Sequence, residues 1–269
     1  MNAQKKKLKN PFEKDGTTLV RKVITELERL WWKTETRQPF LDPYENTHRD
    51  IDIVASYVMT EYPSATNLLQ KTLTFEIKLF IECKYIVESV GLHTRPSNKE
   101  KSEKALLSLN AYSKICQHWI DKLVQAHRYL SSPDVVYDSS DDSVKWYGLY
   151  AVKQAAHGLL SWFHKSNADY SLCYPLIIAD KSDKIFILKK GSDLQENYST
   201  PLLFEYEFIH HLSHRQWILF VEVLTLDNIY QFLVDRIAEL IELTKLGKMH
   251  VFNQRVRNSS DSSIMDILQ

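Results

Sequence analysis

Residues 216–226 read QWILFVEVLTL, an almost unbroken apolar run whose only carboxylate is Glu222. The run is far too short to span a bilayer. Its β-branched and aromatic character suits a strand buried on both faces of a sheet, which requires other layers of structure on either side. The runs 174–179 (YPLIIA) and 184–188 (KIFIL), with a weaker one over 202–209, add further strands. Before them, 51–59 (IDIVASYVM) and 73–87 (LTFEIKLFIECKYIV) read as two extended segments separated by the break at Glu61-Tyr-Pro-Ser64.

Helical periodicity fills the intervals. From Thr17 onward, Leu19, Val20, Val23, Ile24, Leu27, Leu30 and Trp31 recur at three-four spacing, and Thr17 or Thr18 is the expected N-cap. The stretch linking this helix to the first strand contains Pro39 and Pro43 and reads as a polar connection. Residues from about 97 to 165 read as mostly helical, with a loop over 131–143 and a helix over 143–165. A last helix over 228–248 is expected, capped by Asp227. The order predicts one α/β domain over 17–248, a mixed sheet covered by helices on both faces with a helical insertion in the middle third. Residues 1–16 are expected to be a flexible basic leader and 249–269 a mobile tail.

Composition narrows the function. Lys plus Arg and Asp plus Glu both number 34, which excludes a binder with a wholly positive surface but leaves room for a locally basic groove. With 6 glycines, and neither G-x-G-x-x-G nor G-x-x-x-x-G-K-[ST] present, a glycine-rich phosphate loop is excluded. Cys83, Cys116 and Cys173 are widely spaced in apolar surroundings and read as reduced core thiols of a cytoplasmic protein with no membrane attachment. Trp31 and Trp32 are adjacent and cannot both face inward. His210, His211 and His214 lack a second ligand cluster and read as a strand-end group.

The chemistry concentrates on the second extended segment. Alternate side chains of a strand share a face, so Glu82 and Lys84 project together while Ile81, Cys83 and Tyr85 project oppositely. Asp50 and Asp52 share a face at the start of the preceding strand, and antiparallel pairing brings Asp52 opposite Glu82 and Lys84. Two carboxylates and an ammonium at one hairpin end suit phosphodiester hydrolysis, because Mg²⁺ takes one or two carboxylates and leaves room for water and a phosphate. A Glu-x-Lys triplet arises by chance about once in such a chain. A second one, Glu76-Ile-Lys78, precedes the first on the same strand and the same face.

Asp52 with Ile53-Val54-Ala55, followed by Phe80-Ile81-Glu82-Cys83-Lys84 after an amphipathic helix, resembles the PD-(D/E)xK nuclease superfamily, and IDIVA with IECKY is particularly similar to Mrr-like restriction endonucleases. The resemblance implies a restriction-endonuclease-like fold and a Mg²⁺- or Mn²⁺-dependent endonuclease acting on DNA, with RNA left open as substrate, in restriction or antiviral defence. It implies Asp52, Glu82 and the Cys83 main-chain carbonyl as metal ligands and Lys84 as the group serving the attacking water. Auxiliary roles fall to Glu26 or Glu28 on the first helix, to Asp50 as an outer-shell group, and to Gln154 near the scissile phosphate. Lys78, Arg95, Lys99, Lys101 and Lys104 are candidate phosphate contacts, and cutting both strands would favour a homodimer. Two other readings stay open: a catalytically inactive nucleic-acid-binding or assembly module on the same fold, and a helical regulatory protein in which the hairpin match is accidental.

Overall fold

A computed structural model describes residues 16–61, 72–85, 90–96, 134–139, 142–162, 167–180, 185–189, 195–197, 202–209, 216–242 and 244–245. Helix α1, Gly16–Arg29, leads into β1, Lys33–Leu41, and β2, His48–Glu61. Then come β3, Leu73–Lys84; β4, Val90–Pro96; β5, Asp134–Ser139; helix α2, Asp142–Trp162; and β6, Tyr170–Ala179. The chain continues through β7, Ile185–Lys189; β8, Gln195–Asn197; β9, Leu202–Ile209; and β10, Gln216–Thr225. A 3₁₀ turn, Leu226–Asn228, opens onto helix α3 over 229–242.

The strands form one open mixed sheet in the order β1-β2-β3-β6-β10-β9-β5-β4-β7-β8. At its centre β3, β6 and β10 run parallel, flanked by the antiparallel β2 and β9, and β1 pairs antiparallel with β2 and so runs in the direction of the central strands. The central strands are apolar on both sides because both sides are covered. Tyr174 lies in register with Leu79 and receives the Arg236 guanidinium of α3 at 4.9 Å from its ring, so α3 packs on the Leu79 face. Arg29 of α1 lies 5.5 Å from the Tyr230 ring, which places α1 beside α3. Helix α2 packs on the other face, where Tyr206 hydrogen-bonds to its His157. Among the described residues no helix is long and apolar enough to cross a membrane.

Four sequence expectations are corrected. The polar connection after α1 is strand β1, whose Lys33, Thr34, Glu35, Thr36 and Arg37 alternate without an apolar face because the strand lies at the sheet's edge. Asp134–Ser139, expected as loop within a helical third, is strand β5; the helix expected from 97 to 130 lies outside the described residues. Thr17 and Thr18 sit inside α1, which already includes Gly16. Asp227 lies in the first turn of the 3₁₀ segment, whose N-cap is Thr225, with no side-chain cap bond. His210, His211, His214, Cys116, Lys99, Lys101 and Lys104 also fall outside the described residues, as do 1–15 and 246–269.

The end of α1 resolves the two tryptophans. Trp32 N–H donates to the Leu27 carbonyl and Trp31 N–H to the Glu28 carbonyl, the paired bonds of a Schellman closure. That closure forces Trp31 into the left-handed region at φ 64°, where glycine is the usual occupant. Trp31 is 87% exposed, while Trp32 is buried with its ring 5.5 Å from that of Tyr57.

Candidate active site at the end of the β2–β3 hairpin

Strands β2 and β3 pair antiparallel from Glu61 opposite Leu73 to Ile53 opposite Ile81. At the next position the side chains take over from the main chain. Asp52 Oδ2 accepts the Cys83 N–H at 2.8 Å, and Glu82 Oε1 accepts the Asp52 N–H at 3.3 Å. Lys84 Nζ donates to Glu82 Oε2 at 2.8 Å. Asp52, Glu82 and Lys84 therefore meet at one hairpin end, as the strand alternation predicted.

Their settings differ. Glu82 is completely buried, Asp52 half-buried, and the Lys84 side chain about a third exposed, so access to the cluster is from the Asp52 and Lys84 side. Burial pushes the Glu82 carboxyl up to about 7; the attraction of Lys84 opposes this and the nearby charge of Asp52 adds to it. Burial alone would lower the Lys84 ammonium, but the charge and hydrogen bond of Glu82 outweigh it and hold the group above its ordinary value. The Cys83 thiol is raised well above the thiol range by burial and then by the two carboxylates, which leaves it an inert core group. Cys83 and Cys173 are both free and buried.

The auxiliary candidates divide. Gln154 of α2 donates its side-chain amide to the Asp50 main-chain carbonyl, so both lie beside the start of β2, although Asp50 contributes its backbone and its side chain is exposed. Glu26 pairs with Arg29 at 3.6 Å and Glu28 Oε1 accepts from Thr34 Oγ1 at 3.4 Å; α1 lies on the face opposite Glu82, so neither is brought to the cluster. Lys78 pairs with Glu76 at 3.3 Å, and Arg95 lies on β4.

A buried polar clamp behind the cluster has no counterpart in the sequence reading. The Asp42 carboxylate accepts N–H groups from Tyr44 at 2.9 Å and Glu45 at 3.1 Å, from Arg49 Nε at 3.0 Å, and pairs with His157 Nδ1 at 2.9 Å. His157 Nε2 meets the Tyr206 hydroxyl at 2.7 Å. On the same side of α2, Lys153 pairs with Glu45, and Gly158 lets the Ile51 side chain approach to where a Cβ would meet it at 3.3 Å. Residues 153, 154, 157 and 158 thus hold the β1–β2 turn and the start of β2 against α2. Positions 42, 157 and 206 are too distant in sequence to leave a local signal.

Asp52 and Glu82 supply two carboxylates; among the described residues no group of three or more His, Cys, Asp or Glu side chains is placed to hold a metal. A hard cation that completes its shell with water, phosphate and the Cys83 carbonyl is compatible with such a pair. With both carboxyls ionised around the one ammonium the cluster would carry net negative charge, and a bound cation would favour that ionised form of the buried Glu82. No protein-family model matches the chain, and comparison with characterised proteins and with solved structures yields no significant match.

Proposed function

We propose that the protein is a divalent-metal-dependent endonuclease hydrolysing DNA phosphodiester bonds, of the PD-(D/E)xK type on a restriction-endonuclease-like core, acting in restriction or defence. The observation that carries this reading is the meeting of Asp52, Glu82 and Lys84 where β2 parts from β3. Asp52, Glu82 and the Cys83 carbonyl would hold Mg²⁺ or Mn²⁺. When bound, the ion would polarise a phosphoryl oxygen and acidify a water ligand. Lys84, anchored on Glu82 and about a third exposed, would orient the attacking water and stabilise charge gathering on the phosphate. The buried reduced thiols Cys83 and Cys173 suit a cytoplasmic setting.

Incubating the purified chain with supercoiled plasmid, single-stranded DNA and RNA, with Mg²⁺ or Mn²⁺, tests the reading. Cleavage of DNA is expected, and losses of about 100-fold or more in Asp52→Asn and Lys84→Ala. No cleavage of any substrate, or unchanged cleavage in those variants, rejects it. One observation favours the inactive-module reading: Glu82 is fully enclosed, with both carboxylate oxygens engaged within the protein. Mn²⁺ titration separates the two, since only the enzyme reading requires metal binding that is lost in Asp52→Asn.

A further inference from the structure

We propose that a cleft on the Glu82 face of the sheet, at the opposite end of the β2–β3 hairpin from the catalytic cluster, is a binding site for a nucleobase. The cleft encloses about 410 Å³ and its floor is formed by β1, β2 and β3. This volume lies within the range of small-molecule sites. In the floor, Lys33 of β1 and Lys78 of β3 stand in register with Ser56 of β2, so a hydroxyl sits between two ammonium-bearing side chains in one row. Each lysine is matched by a carboxylate two residues away on its own strand, Lys33 to Glu35 at 3.7 Å and Lys78 to Glu76 at 3.3 Å.

This balance selects the class of ligand. A phosphate site needs a surplus of positive charge, and here two cations face two carboxylates. A net-charged guest would leave one partner of each pair facing a like charge. A neutral guest with adjacent donors and acceptors fits better. The nearly buried Glu76 and Lys78 present an acceptor and a donor 3.3 Å apart, the complement of a donor and an acceptor side by side on a base edge. Val54, Val58 and Ala168 supply apolar surface for the ring faces.

The rim is fixed independently of any ligand. Asp169 accepts the N–H and the hydroxyl of Thr74, both at 3.0 Å, and its own N–H donates to the Thr74 hydroxyl at 3.1 Å, which pins the Asn167–Ala168 segment beside β3. Lys78 and Glu82 stand four positions apart on β3, about 13 Å along the strand. A nucleotide a step or two from the scissile phosphate would cover such a span. The assignment of the base to the strand being cut rests on the nuclease reading; the binding chemistry of the cleft does not. Trp31 adds a second observation: its exposed indole, held in a strained backbone conformation two residues before Lys33, is available for stacking on the chain entering the cleft.

The test is an NMR titration of the full chain, without metal, with adenosine, guanosine, cytidine, thymidine and inorganic phosphate. Saturable binding of at least one nucleoside is expected, changing less than about twofold on raising salt because the guest is neutral. Affinity should fall at least about tenfold in the double variant Glu76→Gln/Lys78→Met. The same loss is expected in Asn167→Trp, which fills the cleft from its exposed rim and leaves the buried pair intact. Glu82→Gln should bind the nucleoside like wild type. Binding of phosphate in place of nucleosides, binding of no nucleoside, or nucleoside binding unaffected by both cleft variants overturns the proposal. A chain that binds a nucleoside through this cleft but cuts no DNA refutes the nuclease reading and upholds the base site; a chain that cuts DNA but binds no nucleoside does the reverse.

Discussion

Strand β3 carries the same short pattern twice, Glu76-Ile-Lys78 and Glu82-Cys-Lys84, on one face and six residues apart, yet the two copies stand in different chemical settings. In both, the lysine folds back onto its own glutamate, at 3.3 Å in the first and 2.8 Å in the second. The difference comes from the neighbouring strand. Glu76 lies opposite Val58 in an unbroken ladder, whereas Glu82 lies where the ladder stops and Asp52 supplies a carboxylate in place of a main-chain partner. On the proposed nuclease reading, a Glu-x-Lys triplet is therefore only half of a site, and the position where a paired strand departs provides the other half.

The largest effect expected from this contrast is on cleavage. Lys84→Ala should lower the rate by about 100-fold or more and Lys78→Ala by no more than about tenfold, the loss of a binding contact, as read by plasmid nicking under identical conditions. Equal losses would make the triplets equivalent and undo the distinction. A sharper variant rebuilds one half of the site: Val58→Asp puts a carboxylate opposite Glu76 as Asp52 stands opposite Glu82. Mn²⁺ binding at the new pair is expected without rescue of Lys84→Ala cleavage, because β2 stays laddered there and no strand end opens to substrate. Rescue would show that the acid pair alone suffices.

The clamp on α2 explains how β2 is held at its point of departure, and it gives the next effect in size. His157→Phe removes bonds to Asp42 and Tyr206 and should cost about 2 to 3 kcal/mol in urea unfolding. The pH dependence follows from the same groups. Burial holds His157 below its ordinary value despite the attraction of Asp42. A base depressed in this way binds fewer protons folded than unfolded, so its stabilisation is complete above about pH 6.5 and is lost as pH falls. Burial alone would raise the Asp42 carboxyl, but bonds from His157 and the Tyr44 and Glu45 amides outweigh it and hold the group at about 2 instead of 3.8. Its contribution is present above pH 3.8 and disappears as pH falls through 2. Both slopes have one sign, and the loss of stability of His157→Phe on acidification from pH 7 to 4 should be shallower than that of wild type.

The smallest effect concerns Trp31, on the cleft side of the comparison. Trp31→Gly should raise stability by about 1 kcal/mol, since a left-handed conformation costs a non-glycine residue about that much and the exposed indole gives up little packing. A loss of stability instead would mean that the indole is held by contacts its exposure does not suggest.

How much of this the sequence announced varies with the kind of interaction. The apolar runs of β6, β9 and β10, the α1 stripe and the α2 helix were legible because burial of a whole face imposes a period on the chain. Strand β1 was not, since an edge strand has little to bury and its Lys33–Arg37 segment reads as connection. The placement of Asp52 against Glu82 followed from strand alternation and antiparallel pairing alone. The hydrogen bonds that replace the ladder there did not, and neither did Asp42–His157–Tyr206, which depends on three elements packing together. The cleft had no sign in the sequence: Glu76-Ile-Lys78 read only as a second triplet, and Lys33 and Glu35 join it only through the pairing of β1 with β2.

Strand β1 also bears on how copies of the chain behave in concentrated solution. It is a terminal strand of the sheet, and a free strand edge is a template for unwanted pairing between molecules. Along it, Pro39 has no N–H to offer, Arg37 turns its backbone out of the extended line at φ 48°, and Lys33, Glu35 and Arg37 place charge where an incoming strand would lie. The border nearest the hairpin is thereby guarded against edge-to-edge aggregation, and the same irregularity at Arg37 falls where β1 passes Asp52.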